Sequence, residues 1–420
     1  MHRRTAVTTT RSRKLIRATV AVAVAGAAAA SQLVFASGSG ALAPARPGPL
    51  PATRAGDDTG QHPLPMKTRY QADMNGSITR IANTLMTCDE KKPPVTPGVA
   101  SCLDARKGVG QGIYNNNYNM RYINQYPGKF PLPASEGGGF ETLYSSSGAV
   151  MNLTKGSKIT YARLYWGGTR GIGSTILPLT KVDGVLFKGP KDKQYHEVNT
   201  NPDHSDLGWM TGVGTDLGME HGYQASADVT DIVKKNTNPD GSVNGNFIVA
   251  DMDSVVKPHS WGGWSLVVAY QNCDLPYRHI TLDDGFQIEL PKSPPIHVGI
   301  SDLKTPETGP IKSVLGYVAY DGDRTYTGDT VSVKSTNGPL TQLSLPGKPA
   351  DDFMNSTIID NAGTVAGART PNYVNQMGYD SNRLDISKMI RNGDTGLDFT
   401  FDTKLDGYQV GAIYSYTDLE

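Results

Sequence analysis

The sequence predicts an all-β protein: two tandem antiparallel β-sandwiches of jelly-roll-like topology behind a small N-terminal β cap. Three observations carry that expectation. Glycine (47) and proline (27) are abundant among the 420 residues, and helix-forming stretches thin out after the N-terminus. Apolar residues recur with period two, clearest in Lys158-Ile-Thr-Tyr-Ala-Arg-Leu-Tyr-Trp166, where Ile159, Tyr161, Arg163 and Tyr165 fall on one face and Thr160, Ala162, Leu164 and Trp166 on the other. The third observation is an internal repeat. Tyr223-Gln-Ala-Ser-Ala-Asp228-Val-Thr230-Asp-Ile-Val233, followed by Trp264–Tyr270, is echoed by Met377-Gly-Tyr-Asp-Ser-Asn-Arg-Leu-Asp385-Ile-Ser387-Lys-Met-Ile390, followed by Val410–Tyr416.

In chain order, residues 1–36 read as a signal peptide. Arg3, Arg4, Arg11, Arg13, Lys14 and Arg17 precede the apolar run Ala18–Ala30, with small residues near Ala36 and at Ala41-Leu-Ala43 as cleavage points. The run is shorter than the ~20 residues of a membrane span. No later segment is apolar enough to cross a bilayer, so no transmembrane span is expected after cleavage. Residues 37–66 are a Pro/Ala/Gly linker of extended character. Residues 67–143 form the cap, with strands at 78–86 and 118–123. In it Cys88 and Cys102 bracket a loop rich in Pro and Lys and are expected to form a disulfide in an oxidising compartment. Cys273 is left over as a free thiol.

Residues 144–293 make the first sandwich. A hairpin across Lys155-Gly156 opens it, and segments at 184–187, 225–228, 246–250 and 264–270 follow. Pro291, Pro294 and Pro295 mark the boundary. Residues 294–420 make the second sandwich, with segments at 296–300, 314–320, 330–333, 397–401 and 410–416. The Asp-Val-Thr and Asp-Ile-Ser signatures read as caps, Thr230 and Ser387 each starting a single helical turn that lays Val233 or Ile390 over a sandwich end.

The motifs Tyr161-Ala-Arg-Leu-Tyr-Trp-Gly-Gly168, Ala227-Asp-Val-Thr230, Gly262-Gly-Trp-Ser-Leu-Val-Val-Ala-Tyr270, Asp283-Asp-Gly-Phe286, Val318-Ala-Tyr-Asp-Gly-Asp-Arg324, Thr327-Gly-Asp329, Asn355-Ser-Thr357 and Asn372-Tyr-Val-Asn-Gln-Met-Gly378 carry a resemblance. Across roughly residues 67–420 the chain resembles the N-terminal region of large secreted or surface proteins of actinobacteria and their relatives, where that region precedes a stalk of repeated β-sandwiches. The resemblance implies an exported cell-envelope or extracellular protein in a family with no assigned activity. Neither the stalk nor a wall-sorting motif follows here, so covalent wall attachment is not expected.

Charge narrows the function classes. Forty basic residues balance forty acidic ones, which removes the basic footprint of a nucleic-acid binder. Asp321, Asp323 and Asp329, with Asp351 and Asp352 nearby, are candidate calcium ligands, because hard cations take many oxygens and closely spaced Asp on Gly turns deliver them. The competing reading has them capping turns and pairing with Arg324. Trp209 and Trp261, in Gly-rich stretches, are candidate platforms for sugar faces, which would make cell-wall or extracellular glycan the partner; other envelope proteins are the alternative partners. His196, Glu197, Asp203, His204, Asp206, Glu220 and His221 would have to converge for hydrolysis of a glycan or peptide, and no catalytic spacing motif links them. The polar run Tyr114-Asn-Asn-Asn-Tyr118-Asn-Met-Arg-Tyr122 reads as an edge strand. The sequence therefore points to a secreted or wall-associated structural or adhesive protein, not an enzyme, with a carbohydrate-binding module and a secreted hydrolase as alternatives.

Overall fold

The computed structural model describes residues 60–132, 138–360, 364–365 and 367–419. The expected signal peptide and most of the expected linker lie outside the described residues. Within them the protein is all-β.

Sixteen strands form two copies of one eight-stranded unit. In the first copy β1 is Leu64–Thr84, β2 Ser146–Leu153, β3 Lys158–Ile172, β4 Gly184–Lys188, β5 His196–Asn199, β6 Gly218–Asp228, β7 Val243–Ala250 and β8 Gly262–Gln271. In the second, β9 is Tyr277–Glu289, β10 Ile296–Ile300, β11 Ser313–Tyr320, β12 Asp329–Ser335, β13 Thr341–Gln342, β14 Tyr379–Asp385, β15 Leu397–Thr403 and β16 Tyr408–Asp418. The sheet orders are β6-β3-β8-β1 and β5-β4-β7-β2 in the first copy, and β14-β11-β16-β9 and β13-β12-β15-β10 in the second. Numbers eight apart occupy equivalent places, and the order is that of a jelly roll.

The copies are joined through β1. Its residues 64–75 pair with β9, and residues 76–84 pair with β8. The chain between β8 and β9 turns at 272–276, so the inner sheets fold back face to face. Apolar clusters mark the resulting four layers. Trp166, Leu164, Phe247 and Trp264 fill the space between inner and outer sheets of the first copy. Tyr317, Val331, Phe399 and Ile413 fill that of the second. Tyr165, Val267, Ile280, Tyr320, Tyr379 and Tyr414 lie in a third core between the two inner sheets.

That third core corrects the half-buried reading of β3: the Tyr161, Arg163 and Tyr165 face is covered by the second copy, and Tyr165 is fully buried. Two glycines permit the packing. A Cβ at Gly263 would lie 2.5 Å from the Tyr379 ring, and one at Gly316 2.0 Å from the Tyr414 ring. The boundaries before residue 86 also shift. The strand begins at Leu64, inside the expected linker, and belongs to both sandwiches, not to the cap. Its N-terminal half alternates too weakly to announce itself, because pairing to β9 holds it, not burial.

The repeat signature has the same geometry twice. Val229 and Ile386 take nearly identical backbone angles (φ −120°, ψ 20° and φ −111°, ψ 18°). Asp228 Oδ1 accepts from the Thr230 amide at 2.8 Å, and Asp385 Oδ1 accepts from the Ser387 amide at 3.0 Å. The aspartates therefore do the capping that was expected of Thr230 and Ser387. The hydroxyls instead accept from the amides that begin the buried parts of β3 and β11: Ala162 to Thr230 Oγ1 at 2.9 Å and Ser313 to Ser387 Oγ at 3.0 Å. Val233 and Ile390 are buried, as expected.

The cap spans roughly residues 86–131 and is closed by a disulfide between Cys88 and Cys102, fourteen residues apart. A short helix, Cys102–Arg106, is capped by Ser101, and Arg106 donates to Cys88 O and to Glu90. The run expected as an edge strand forms a 3-10 turn at Asn115–Asn117 and a three-residue strand at Met120–Tyr122. Asparagine side chains that bond nearby backbone compete with strand pairing, as Asn117 does with Gly112 O. Cys273 is an exposed free thiol.

Removing either signature hydroxyl strands a backbone amide, at about 1–3 kcal/mol. Thr230→Val and Ser387→Ala are each expected to lower the unfolding free energy by an amount in that range in equilibrium urea denaturation. A loss confined to one copy would show that the two signatures do not share a role.

Candidate functional site

The strongest concentration of ionisable chemistry lies where the inner sheets, the second copy's loops and the cap meet. β11 ends at Tyr320, and Asp321 follows with a left-handed backbone (φ 65°) that turns the chain out of the sheet. Asp323 lies in the turn that follows, and Asp329 opens β12. Asp352 arrives from the loop after β13, Asp380 from β14, Asp406 from the loop before β16 and Glu220 from β6 of the first copy. None of the seven is more than 8 % exposed.

Asp380 accepts from Lys348, Ser356, Thr357 and Asn382, whereas the hydrogen bonds of the other six are sparse. Asp406 Oδ2 accepts from the Asp323 amide at 2.9 Å, Asp352 Oδ2 from the Thr325 amide at 3.1 Å, and Asp329 Oδ2 from the Met354 amide. The cap contributes Asn116, whose Nδ2 donates to Asp323 Oδ2 at 3.1 Å. Trp261 Nε1 donates to Glu220 Oε1 at 2.6 Å. The Oδ1 atoms of Asp323, Asp329 and Asp352 are buried and accept no hydrogen bond among the described residues. The ammonium in the cluster, Lys348, is fully buried and lies 2.7 Å from Asp380 Oδ1, where it also donates to Asn355 and Phe353 O.

A buried carboxylate without a counter-charge is costly, so protonation is favoured. Burial pushes Glu220 up to about 8 against the opposing Trp261 hydrogen bond. Burial raises Asp329 and Asp352 to about 6. Asp321, Asp323 and Asp406 are raised well above the carboxylate range, by burial first and then by neighbouring negative charge, that of Glu220 on Asp321 and Asp323 and that of Asp323 on Asp406.

The three aspartates read from sequence as calcium ligands are thus brought into one buried neighbourhood. Among the described residues their partners are backbone amides and Asn116, not Arg324. Among the described residues, however, no three His, Cys, Asp or Glu side chains are arranged to hold a metal ion. Glu220, Asp406 and Asp380 complete the neighbourhood from distant parts of the chain. No local spacing announces them.

The candidate sugar platforms separate. Trp261 is fully buried, stacked on Tyr320 at 5.1 Å between the inner sheets, and presents no face to a ligand. Its flanking glycines serve close packing, not an open loop. Trp209 lies on the edge strand Leu207–Thr215, partly exposed, with the His62 ring at 4.6 Å and Arg170 at 5.8 Å. The histidines and acids weighed for hydrolysis are dispersed. His196 faces Asp192, His221 bonds Thr211, and His204 packs edge-on to Trp209. Asp206 belongs to a buried network in which Arg69 and Arg163 lie 2.8 Å from it and reach Asp284 at 2.9 and 3.3 Å.

Comparison with protein-family models and with curated proteins returned no match to this chain.

The raised carboxylates give a pH dependence with a definite sign. In the unfolded chain these groups ionise near pH 4, and in the fold they hold their protons to higher pH. Stability is therefore full below about pH 4 and declines as pH rises through about 6 for Asp329 and Asp352 and about 8 for Glu220. The melting temperature is expected to be higher at pH 5 than at pH 8, and Asp323→Asn is expected to raise stability at pH 8 and flatten the profile. A melting temperature that rises from pH 5 to pH 8 would refute the assignment.

Proposed function

We propose that this protein is an exported structural or adhesive component of the cell envelope or extracellular matrix, a stiff β-scaffold that meets its partners through loops at the sandwich ends. The observation that supports this most is the Cys88–Cys102 disulfide in a cap that touches both copies. Asn115 donates to His259 O of the first, and Asn116 to Asp323 of the second. A disulfide persists in oxidising, extracytoplasmic surroundings, and the basic and apolar N-terminus agrees with that destination. No helix among the described residues is long and apolar enough to cross a membrane.

A carbohydrate-binding role is the second reading, and the partly exposed Trp209 is the observation that favours it. The glycan surface would be read by one aromatic face beside Arg170, since Trp261 is enclosed.

Two measurements test these readings. Fractionation of a producing culture is expected to place the protein in the medium or wall, and recovery from the cytosol alone would overturn the export reading. Pull-down by insoluble cell-wall glycan is expected to fall several-fold in Trp209→Ala if the carbohydrate reading holds. Equal retention of both proteins would remove it.

A further inference from the structure

A cavity with apolar and charged walls lies outside the cluster above. It has a volume of about 160 Å³ and lies beside β1 residues 79–82, between β2 and the short strand Arg369–Thr370, which crosses over from the second copy to pair with β2. Its walls include Thr79, Arg80, Asn152, Asp360 and Arg369.

The charges around it do not balance. Arg80 is satisfied: it donates to Ser381 O and Ile359 O, and its Nη1 lies 3.3 Å from Asp360 Oδ1. Arg369 is 7 % exposed and among the described residues has only neutral acceptors, Gln376 Oε1 at 3.2 Å and Tyr373 O at 2.9 Å. Its Nε has no hydrogen-bond partner among the described residues. Its charged neighbour is Arg80, of the same sign. Burial first and then Arg80 push the Arg369 guanidinium down to about 9, which leaves it a cation at neutral pH. A buried guanidinium with no counter-ion is strongly destabilising, and its planar fork matches oxyanions. The cavity wall also leaves space, since a Cβ at Gly367 would meet nothing closer than Val150 O at 3.8 Å.

We propose that this cavity binds a small oxyanion, the phosphate or carboxylate group of a ligand, on the free edge of the Arg369 guanidinium, with Arg80 supplying field and Thr79 and Asn152 lining the pocket. Ligand binding then neutralises the cation where a strand of the second copy is added to a sheet of the first, and so tightens the seam between the copies.

The test uses the full chain. Inorganic phosphate and acetate are titrated against chloride at equal ionic strength and followed by thermal unfolding and by calorimetry. The wild-type protein is expected to show saturable binding with one site and a concentration-dependent rise in melting temperature, larger for phosphate if the natural group is a phosphate and for acetate if it is a carboxylate. Arg369→Gln is expected to lose that response while remaining at least as stable as wild type in chloride, because it removes an uncompensated charge. Arg369→Lys, which keeps the charge but loses the fork, is expected to bind at least tenfold more weakly. No saturable heat with either anion in the wild-type protein, or an undiminished response in Arg369→Gln, would overturn the proposal.

Discussion

Everything in this molecule depends on one strand being shared. β1 spends its first half hydrogen-bonded to β9 and its second half hydrogen-bonded to β8. Because it is antiparallel to both, and β8 and β9 are consecutive in the chain, the two jelly rolls cannot sit side by side as independent domains. Their inner sheets close on each other like the covers of a book. Backbone pairing supplies the hinge, and the apolar residues of the third core hold it shut.

Closing that interface buries polar groups that a single sandwich would leave in water, and the protein treats them in two ways. Arg69 and Arg163 are matched by Asp206 and Asp284, with the Tyr165 hydroxyl donating to Asp284 at 2.9 Å. Opposite charges there offset the cost of desolvation. At the other end of the interface Glu220 and five aspartates gather with one ammonium already committed to Asp380. Near β2, Arg369 is left with neutral acceptors. Such imbalances resist explanation by stability alone, since apolar side chains of similar size would fill the same space at lower cost. They single out the places where protons or small ions act on the fold.

How much of this was legible beforehand depended on whether a signal was local. The repeat signature was readable because Asp-Val-Thr and Asp-Ile-Ser perform a local task, an aspartate capping the turn and a hydroxyl holding the neighbouring strand. Asp321, Asp323 and Asp329 were readable as a group because they lie within nine positions of one another in the sequence. Glu220 and Asp406 join them only through the fold. Trp261 was misplaced for the same reason: Gly262 and Gly263 resemble a loop locally, yet they let the Met252 side chain and the Tyr379 ring approach the sheet. The Tyr114–Tyr122 run was read as a strand from its aromatic and polar composition, while its asparagines bond a nearby turn at Gly112 O and the distant His259 O and Asp323.

The sequence by itself determined the all-β sandwich class and the disulfide, because each is encoded in short-range periodicity, spacing or composition. The tertiary structure alone decided that the copies share β1, that both faces of β3 are buried, and that carboxylates from five separate stretches meet around a single ammonium. Those outcomes follow from long-range strand pairing, in which the partner of a residue lies as much as 222 positions away, as for Leu64 and Phe286, and leaves no trace in the residues beside it.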